Sequence, residues 1–109
     1  MELEAIDVLK NGDIVTLDIC ACYKGYHGDS AWTYPVGKIN KEKEYLMHHT
    51  EKALFTGLKE LKAGVPLGNA SARIGQYAKK HGLGVVHELV GHGVGHELHE
   101  DPDVPNYGI

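Results

Sequence analysis

Two aspartates eleven residues apart, Asp18 and Asp29, and the histidines around His92 are the side chains of this 109-residue sequence best suited to chemistry. Carboxylate oxygen and neutral imidazole are both ligands for divalent cations, and histidine is the commonest of metal ligands. Eight histidines is a high count for this length, and four of them, His87, His92, His96 and His99, fall between positions 87 and 99. They are dispersed, unlike the contiguous terminal run of a purification tag. Spacing excludes two familiar patterns. In His87-Glu88-Leu89-Val90-Gly91-His92 the histidines are five residues apart, where a zinc-protease helix needs four. Gly91-His92-Gly93-Val94-Gly95 lacks the lysine and hydroxyl of a phosphate-binding loop and the spacing of a dinucleotide fingerprint. Alternating glycines instead let backbone pass close to a site while His92 projects into it. Taken one at a time, each histidine also suits a surface or hydrogen-bonded structural role, and each aspartate suits the wet face of a ribbon or a turn.

The elements that must position these residues follow from periodicity. From Asp13 to Tyr23, Val15, Leu17, Ile19 and Ala21 alternate with Thr16, Asp18, Cys20 and Cys22, the pattern of a half-buried strand. Lys24-Gly25 offers a turn, and Tyr26 to Val36, rich in aromatic and β-branched residues, reads as the partner strand of a hairpin over 13–36. If the turn has two residues, Tyr23 faces Tyr26, Cys20 faces Asp29 and Asp18 faces Ala31. Asp18 and Asp29 then become diagonal neighbours on one face, with Cα atoms about 7–8 Å apart. Carboxylates so placed can bind one ion or bridge two ions about 3.5–4 Å apart.

Two helices follow. Asn40 suits a cap, Glu42 and Glu44 suit the first turns, and Leu46, Leu54, Leu58 and Leu61 recur at helical spacing until Gly64 and Pro66, which predicts a helix over about 41–62. A shorter one over about 68–81 carries Ala70, Ile74, Tyr77 and Ala78 on one stripe, with Lys79 and Lys80 in its last turn before Gly82. The Gly/His-rich segment 85–105 reads as extended backbone and loop, because glycine at every second position does not sustain a helix.

Bulk composition narrows the partners. The net charge of −4 comes without a basic patch, which argues against nucleic acid or an anionic membrane and favours a small polar ligand. The first residues lack the cationic and apolar regions of a secretory signal, and no apolar run approaches the ~20 residues that span a bilayer, so a cytoplasmic location is expected. Cys20 and Cys22, two apart on one strand face, are poorly placed for a mutual disulfide and read as small buried residues.

Four linked signatures then carry a resemblance. Gly12-Asp13-Ile14-Val15-Thr16-Leu17-Asp18, Gly25-Tyr26-His27-Gly28-Asp29, Gly91-His92-Gly93-Val94-Gly95 and His99-Glu100-Asp101-Pro102 occur in the order and at the separations of the type I methionine aminopeptidases of bacteria, which the chain resembles. The resemblance implies an α+β fold, part of the pita-bread architecture, in which an antiparallel hairpin and sheet pack with two helices. It implies a metal-dependent enzyme that removes N-terminal methionine from new proteins, with two divalent ions (Mn, Fe, Co or Zn) per complete site. Carried over residue by residue, Asp18 chelates one ion, Asp29 bridges both and His92 binds the other. His99 becomes a catalytic histidine that donates a hydrogen bond to the scissile amide or developing oxyanion. Thr33, on the Asp29 face, becomes a hydrogen-bonding support for a ligand.

The family also uses a histidine before the first strand and two C-terminal glutamates, which this sequence does not show. The expectation is therefore a single partial catalytic domain over 1–109, truncated or split. It is expected to hold one ion or none and to have little activity alone, with Glu97 or Glu100 able to substitute only if the loop after His92 folds back. An N-terminal Met-peptide is the expected substrate, and an exposed sheet edge is expected to favour homo-oligomers. Two alternatives stand beside this reading: an inactive half-fold module that binds metal, peptide or a partner, and another pita-bread hydrolase of the prolidase or aminopeptidase P type. Composition alone would also suit a histidine-rich metal-storage protein.

Overall fold

Lys24 and Gly25 both adopt positive φ, 50° and 82°, the conformation of a two-residue turn whose twist matches its flanking strands. That turn joins β1 (Ile14–Tyr23) to β2 (Tyr26–Pro35) in the computed structural model, which describes residues 7–108. The register runs from Tyr23↔Tyr26 through Cys20↔Asp29 and Asp18↔Ala31 to Ile14↔Pro35 without a slip. Beyond the ladder, Gly12 and Val36 exchange backbone contacts with Val36 and Asp13, each at 2.8 Å, closing the base of the hairpin.

Helix α1 (Lys41–Leu58) starts at Asn40, whose side chain accepts the Lys43 N–H at 2.8 Å, with Glu42 and Glu44 in the positive first turn. It is shorter than the span 41–62 suggested by its leucines. The N–H groups of Glu60 and Leu61 bond carbonyls only three residues back, Gly57 and Leu58, at 3.0 and 3.1 Å. These tight turns terminate the α-helical ladder before Gly64, at φ 84°. Helix α2 (Leu67–Lys80) begins directly after Pro66 and so lies one residue ahead of the predicted 68–81 at both ends. Pro66 has no N–H to lose, which suits it to the helix boundary.

The helices cross through small residues. Ala53 and Gly57 of α1 and Ala70, Ser71 and Ala78 of α2 are the buried positions. A Cβ on Gly57 would collide with Ile74 and lie 3.0 Å from the Ala70 carbonyl, so the backbones meet where only glycine fits. The leucine stripe does not form this contact: Leu46, Leu54, Leu58 and Leu61 all stay exposed.

Beyond α2, β3 (Gly91–Gly93) pairs antiparallel with β4 (Glu100–Val104), making a second two-stranded sheet inside the segment expected to be extended backbone and loop. Gly91 faces Val104, His92 faces Asp103, and a bulge then brings Gly93 opposite Glu100. A Cβ on Gly93 would sit 2.5 Å from the Asp101 carbonyl. The alternating glycines thus allow a close strand pair, which regular helix periodicity could not reveal.

The chain is open in shape. Its Cα radius of gyration is 16.1 Å, against about 13 Å for a compact domain of this length. The helices pack on each other, and α2 reaches β4, but neither makes more than slight contact with the hairpin. Two sequence expectations are corrected by this. Leu17 and Ile19 are 49% and 61% exposed rather than half-buried, and Cys20 and Cys22 are exposed rather than core residues.

Candidate metal centre

The polar face of the hairpin gathers three potential ligands. One donor atom each from Asp18, Cys20 and Asp29 lies within 4.8 Å of the other two. The register produces this convergence, because Cys20 stands directly opposite Asp29 and Asp18 is one rung diagonal to it. Cys20 Sγ donates to Asp29 Oδ1 at 3.5 Å. Partial desolvation, this hydrogen bond and the negative charges of Asp29 and Asp18 push the Cys20 thiol above its ordinary value.

His92 arrives from the other sheet. Its Nε2 lies 3.2 Å from Asp29 Oδ2, and both side chains are largely covered, at 21% and 23% exposed, although the Asp29 residue as a whole is open. Its other ring nitrogen, Nδ1, is 2.9 Å from the Gly93 carbonyl. A carbonyl can only accept, so Nδ1 carries a proton and Nε2 is the nitrogen that faces Asp29. Nε2 and Oδ2 stand 3.2 Å apart, a contact completed by a second proton on the ring or by an intervening cation. Two ligands bound at about 2.1 Å to one ion are separated by about 3.0–3.4 Å at ordinary coordination angles, so this geometry fits a metal. Asp29 is divided between two donor groups, Oδ1 toward Cys20 and Oδ2 toward His92.

His99 stands beside this centre, its ring centroid 4.1 Å from that of His92, and it lines a hollow with His92, Val90 and Glu100. Thr33 does not contact a metal-type donor: its hydroxyl is 2.9 Å from that of Thr16, its cross-strand partner. Glu100 accepts from the Glu97 N–H at 3.3 Å, so its carboxylate braces the loop instead of joining Asp18 and Asp29.

The remaining histidines are held elsewhere. The Gly95 carbonyl accepts the His27 N–H at 2.7 Å, and the Gly25 carbonyl accepts from His96 Nδ1 at 3.1 Å, docking the glycine-rich segment on the hairpin tip. His87 stacks on Tyr107 with centroids 4.2 Å apart. His48, His49 and His81 belong to the helix pair. Cys20 is the residue that sequence reasoning left out of the site. Its place opposite Asp29 was the available signal, masked by the habit of small thiols to be buried.

Comparison with known proteins extends this geometry. The profile of metallopeptidase family M24 matches residues 4–108. Methionine aminopeptidase 1 of Bacillus subtilis is 54% identical over 101 residues, covering 93% of this chain and 41% of that protein. The crystal structure of methionine aminopeptidase from Thermotoga maritima superposes with a TM-score of 0.89 at 44% identity, over 94% of this chain and 41% of that one. Prolidase from Pyrococcus furiosus superposes at 0.82 with 28% identity, over 92% of this chain and 30% of that one. The α+β arrangement is thus part of the pita-bread fold, and the chain spans about two-fifths of the length of the methionine aminopeptidases it matches. By its sequence and by its superposition alike, the chain belongs to metallopeptidase family M24.

Proposed function

We propose that the chain supplies the Asp18, Asp29 and His92 side of a two-ion centre in a methionyl aminopeptidase, whose substrate is the N-terminal Met-X bond of a peptide. The observation that carries this reading is the split engagement of Asp29, with Oδ1 on the Asp18 and Cys20 side and Oδ2 on the His92 side. A carboxylate so placed can bridge two ions. Two bound divalent ions supply Lewis acidity toward a peptide carbonyl and an activated water at neutral pH.

The protein's own groups have distinct parts. Asp18 and Asp29 concentrate negative charge and hard oxygen donors on the hairpin face, which suits Mn, Fe, Co or Zn. Gly93 holds the His92 tautomer through its carbonyl, which keeps Nε2 free to ligate. His99, exposed beside His92, is positioned to donate a hydrogen bond to the scissile amide oxygen as charge develops there. The Thr16–Thr33 hydroxyl pair braces the same hairpin face two rungs from Asp18 and Ala31, so Thr33 supports the site through the ladder. We place this activity in the cytoplasm; among the described residues no helix is long and apolar enough to cross a membrane. The open hairpin edges suit association with a second copy.

Methionine aminopeptidases are favoured over a prolidase-type activity by the closer similarity, 44% against 28% identity in the superposed structures. A metal-binding module without turnover is the second reading, favoured by the engagement of Glu100 with the Glu97 N–H. Methionine release from a Met-Ala-Ser peptide, with Mn or Co added and a chelator control, separates the two. Chelator-sensitive release supports the aminopeptidase. Stoichiometric metal binding without release at high protein concentration supports the module.

A further inference from the structure

We propose that Cys20 is a direct sulfur ligand of the ion held by Asp18 and Asp29, giving that position of the centre a preference for thiophilic divalent ions over Mn. This rests on the metal-centre reading above and adds a ligand to it. Cys20 Sγ belongs to the only group of three metal-type donors that converge among the described residues. A fourth donor reaches the same carboxylate from another element, His92 Nε2 at 3.2 Å from Asp29 Oδ2, so the thiol is part of a built constellation.

The spacing of this thiol–carboxylate hydrogen bond suits a tetrahedral ion. A tetrahedral ion with a sulfur bond of about 2.3 Å and an oxygen bond of about 2.1 Å sets its S and O ligands about 3.6 Å apart, whereas a right-angled pair would be about 3.1 Å apart. Sγ and Asp29 Oδ1 are separated by 3.5 Å. Small motions of exposed side chains therefore suffice to receive an ion. Cys22 offers an internal contrast. It lies two residues further along the same strand face, opposite His27, and is outside the converging group.

Binding would form one sulfur–metal bond, and the thiol proton would leave to solvent, with no change of oxidation state. Thiolate is a soft ligand that favours Zn, Co or Cd, while carboxylates alone favour harder ions such as Mn. The pairing of Cys20 with two aspartates would thus set the metal selectivity of this chain.

Titration of the purified protein with Co(II) without oxygen reads the proposal directly, since a thiolate bound to cobalt absorbs in the near ultraviolet. Wild type and Cys22→Ser are expected to develop this band, whereas Cys20→Ser is expected to bind cobalt without it and to lose roughly tenfold or more of its preference for Zn over Mn. Mass spectrometry after alkylation gives a second readout that needs no variant: Zn should protect Cys20 while Cys22 continues to react. A band that survives in Cys20→Ser, or equal alkylation of Cys20 with and without Zn, overturns the proposal. Metal binding that is unchanged in Asp29→Ala would instead overturn the underlying centre.

Discussion

The hairpin face and the helix pair both concentrate histidine, yet their polar groups are used in opposite ways. Between α1 and α2, His49 Nδ1 bonds the Tyr77 hydroxyl at 2.7 Å, His81 Nδ1 bonds the Tyr77 carbonyl at 2.8 Å, and Tyr45 donates to the His81 carbonyl at 2.8 Å. His49 and His81 also stack, with centroids 4.4 Å apart. Each of those Nδ1 atoms has its hydrogen-bond partner within the helix pair. On the hairpin, Asp18, Cys20 and Asp29 converge and His92 reaches Asp29 from the other sheet, a contact that a ring proton or a cation completes. Histidine count alone therefore does not locate a site; the informative feature is whether the donors and acceptors already balance.

The largest effect should come from removing the carboxylate proposed to bridge. Asp29→Ala is expected to abolish tight divalent binding in calorimetry while the helical circular dichroism stays unchanged; wild-type stoichiometry in that variant would sink the assignment. His92→Ala, which would remove one proposed ligand but not the carboxylate pair, should weaken metal binding by at least the roughly 10–100-fold that loss of a group supporting a ligand costs. The same substitution at His49 should leave metal affinity unaltered, which sharpens the contrast between the regions.

Gly93→Ala tests how the second sheet delivers His92. The added methyl would lie 2.5 Å from the Asp101 carbonyl, so the strands must separate, at about 1–3 kcal/mol of stability. Chemical denaturation and metal titration should both register the change, and wild-type behaviour in both would remove the close-approach explanation.

Acidification should act on the other region and have a smaller effect. Desolvation, then the charges of His81, His48 and Lys52, lower the His49 pKa below its ordinary 6.5. The unfolded chain then takes up the proton more readily than the folded one, so this contribution is full above pH 6.5 and is lost as pH falls through the lowered value. Thermal unfolding should show a lower midpoint below that range, and His49→Gln should flatten the dependence. A midpoint independent of pH in the wild type would contradict the lowered pKa. The smallest effect is expected at the exposed Arg73–Glu60 pair, 3.3 Å apart, where Arg73→Ala should change stability by about 0.5 kcal/mol or less.

The hairpin register was legible in the sequence because Lys24-Gly25 admits a two-residue turn, and once Tyr23 faces Tyr26 every later pair is determined. The meeting of Asp18 with Asp29 follows from that count. The end of α1 was not legible, since Leu61 continues the apolar spacing while the backbone beyond Leu58 has already tightened into turns. Alternation on β1 announced an apolar face but carried no information on what lies against it, and Leu17 and Ile19 remain exposed. The contact of His92 with Asp29 joins two sheets far apart in sequence, and no local periodicity encodes such a meeting.

Anomalous diffraction from crystals soaked in Mn tests the central claim most directly, because it locates an ion without reference to activity. The account predicts a peak between Asp29 Oδ2 and His92 Nε2, with a second on the Asp18 side when both positions fill. Full occupancy at the helix-pair histidines, with none at Asp29, would contradict it.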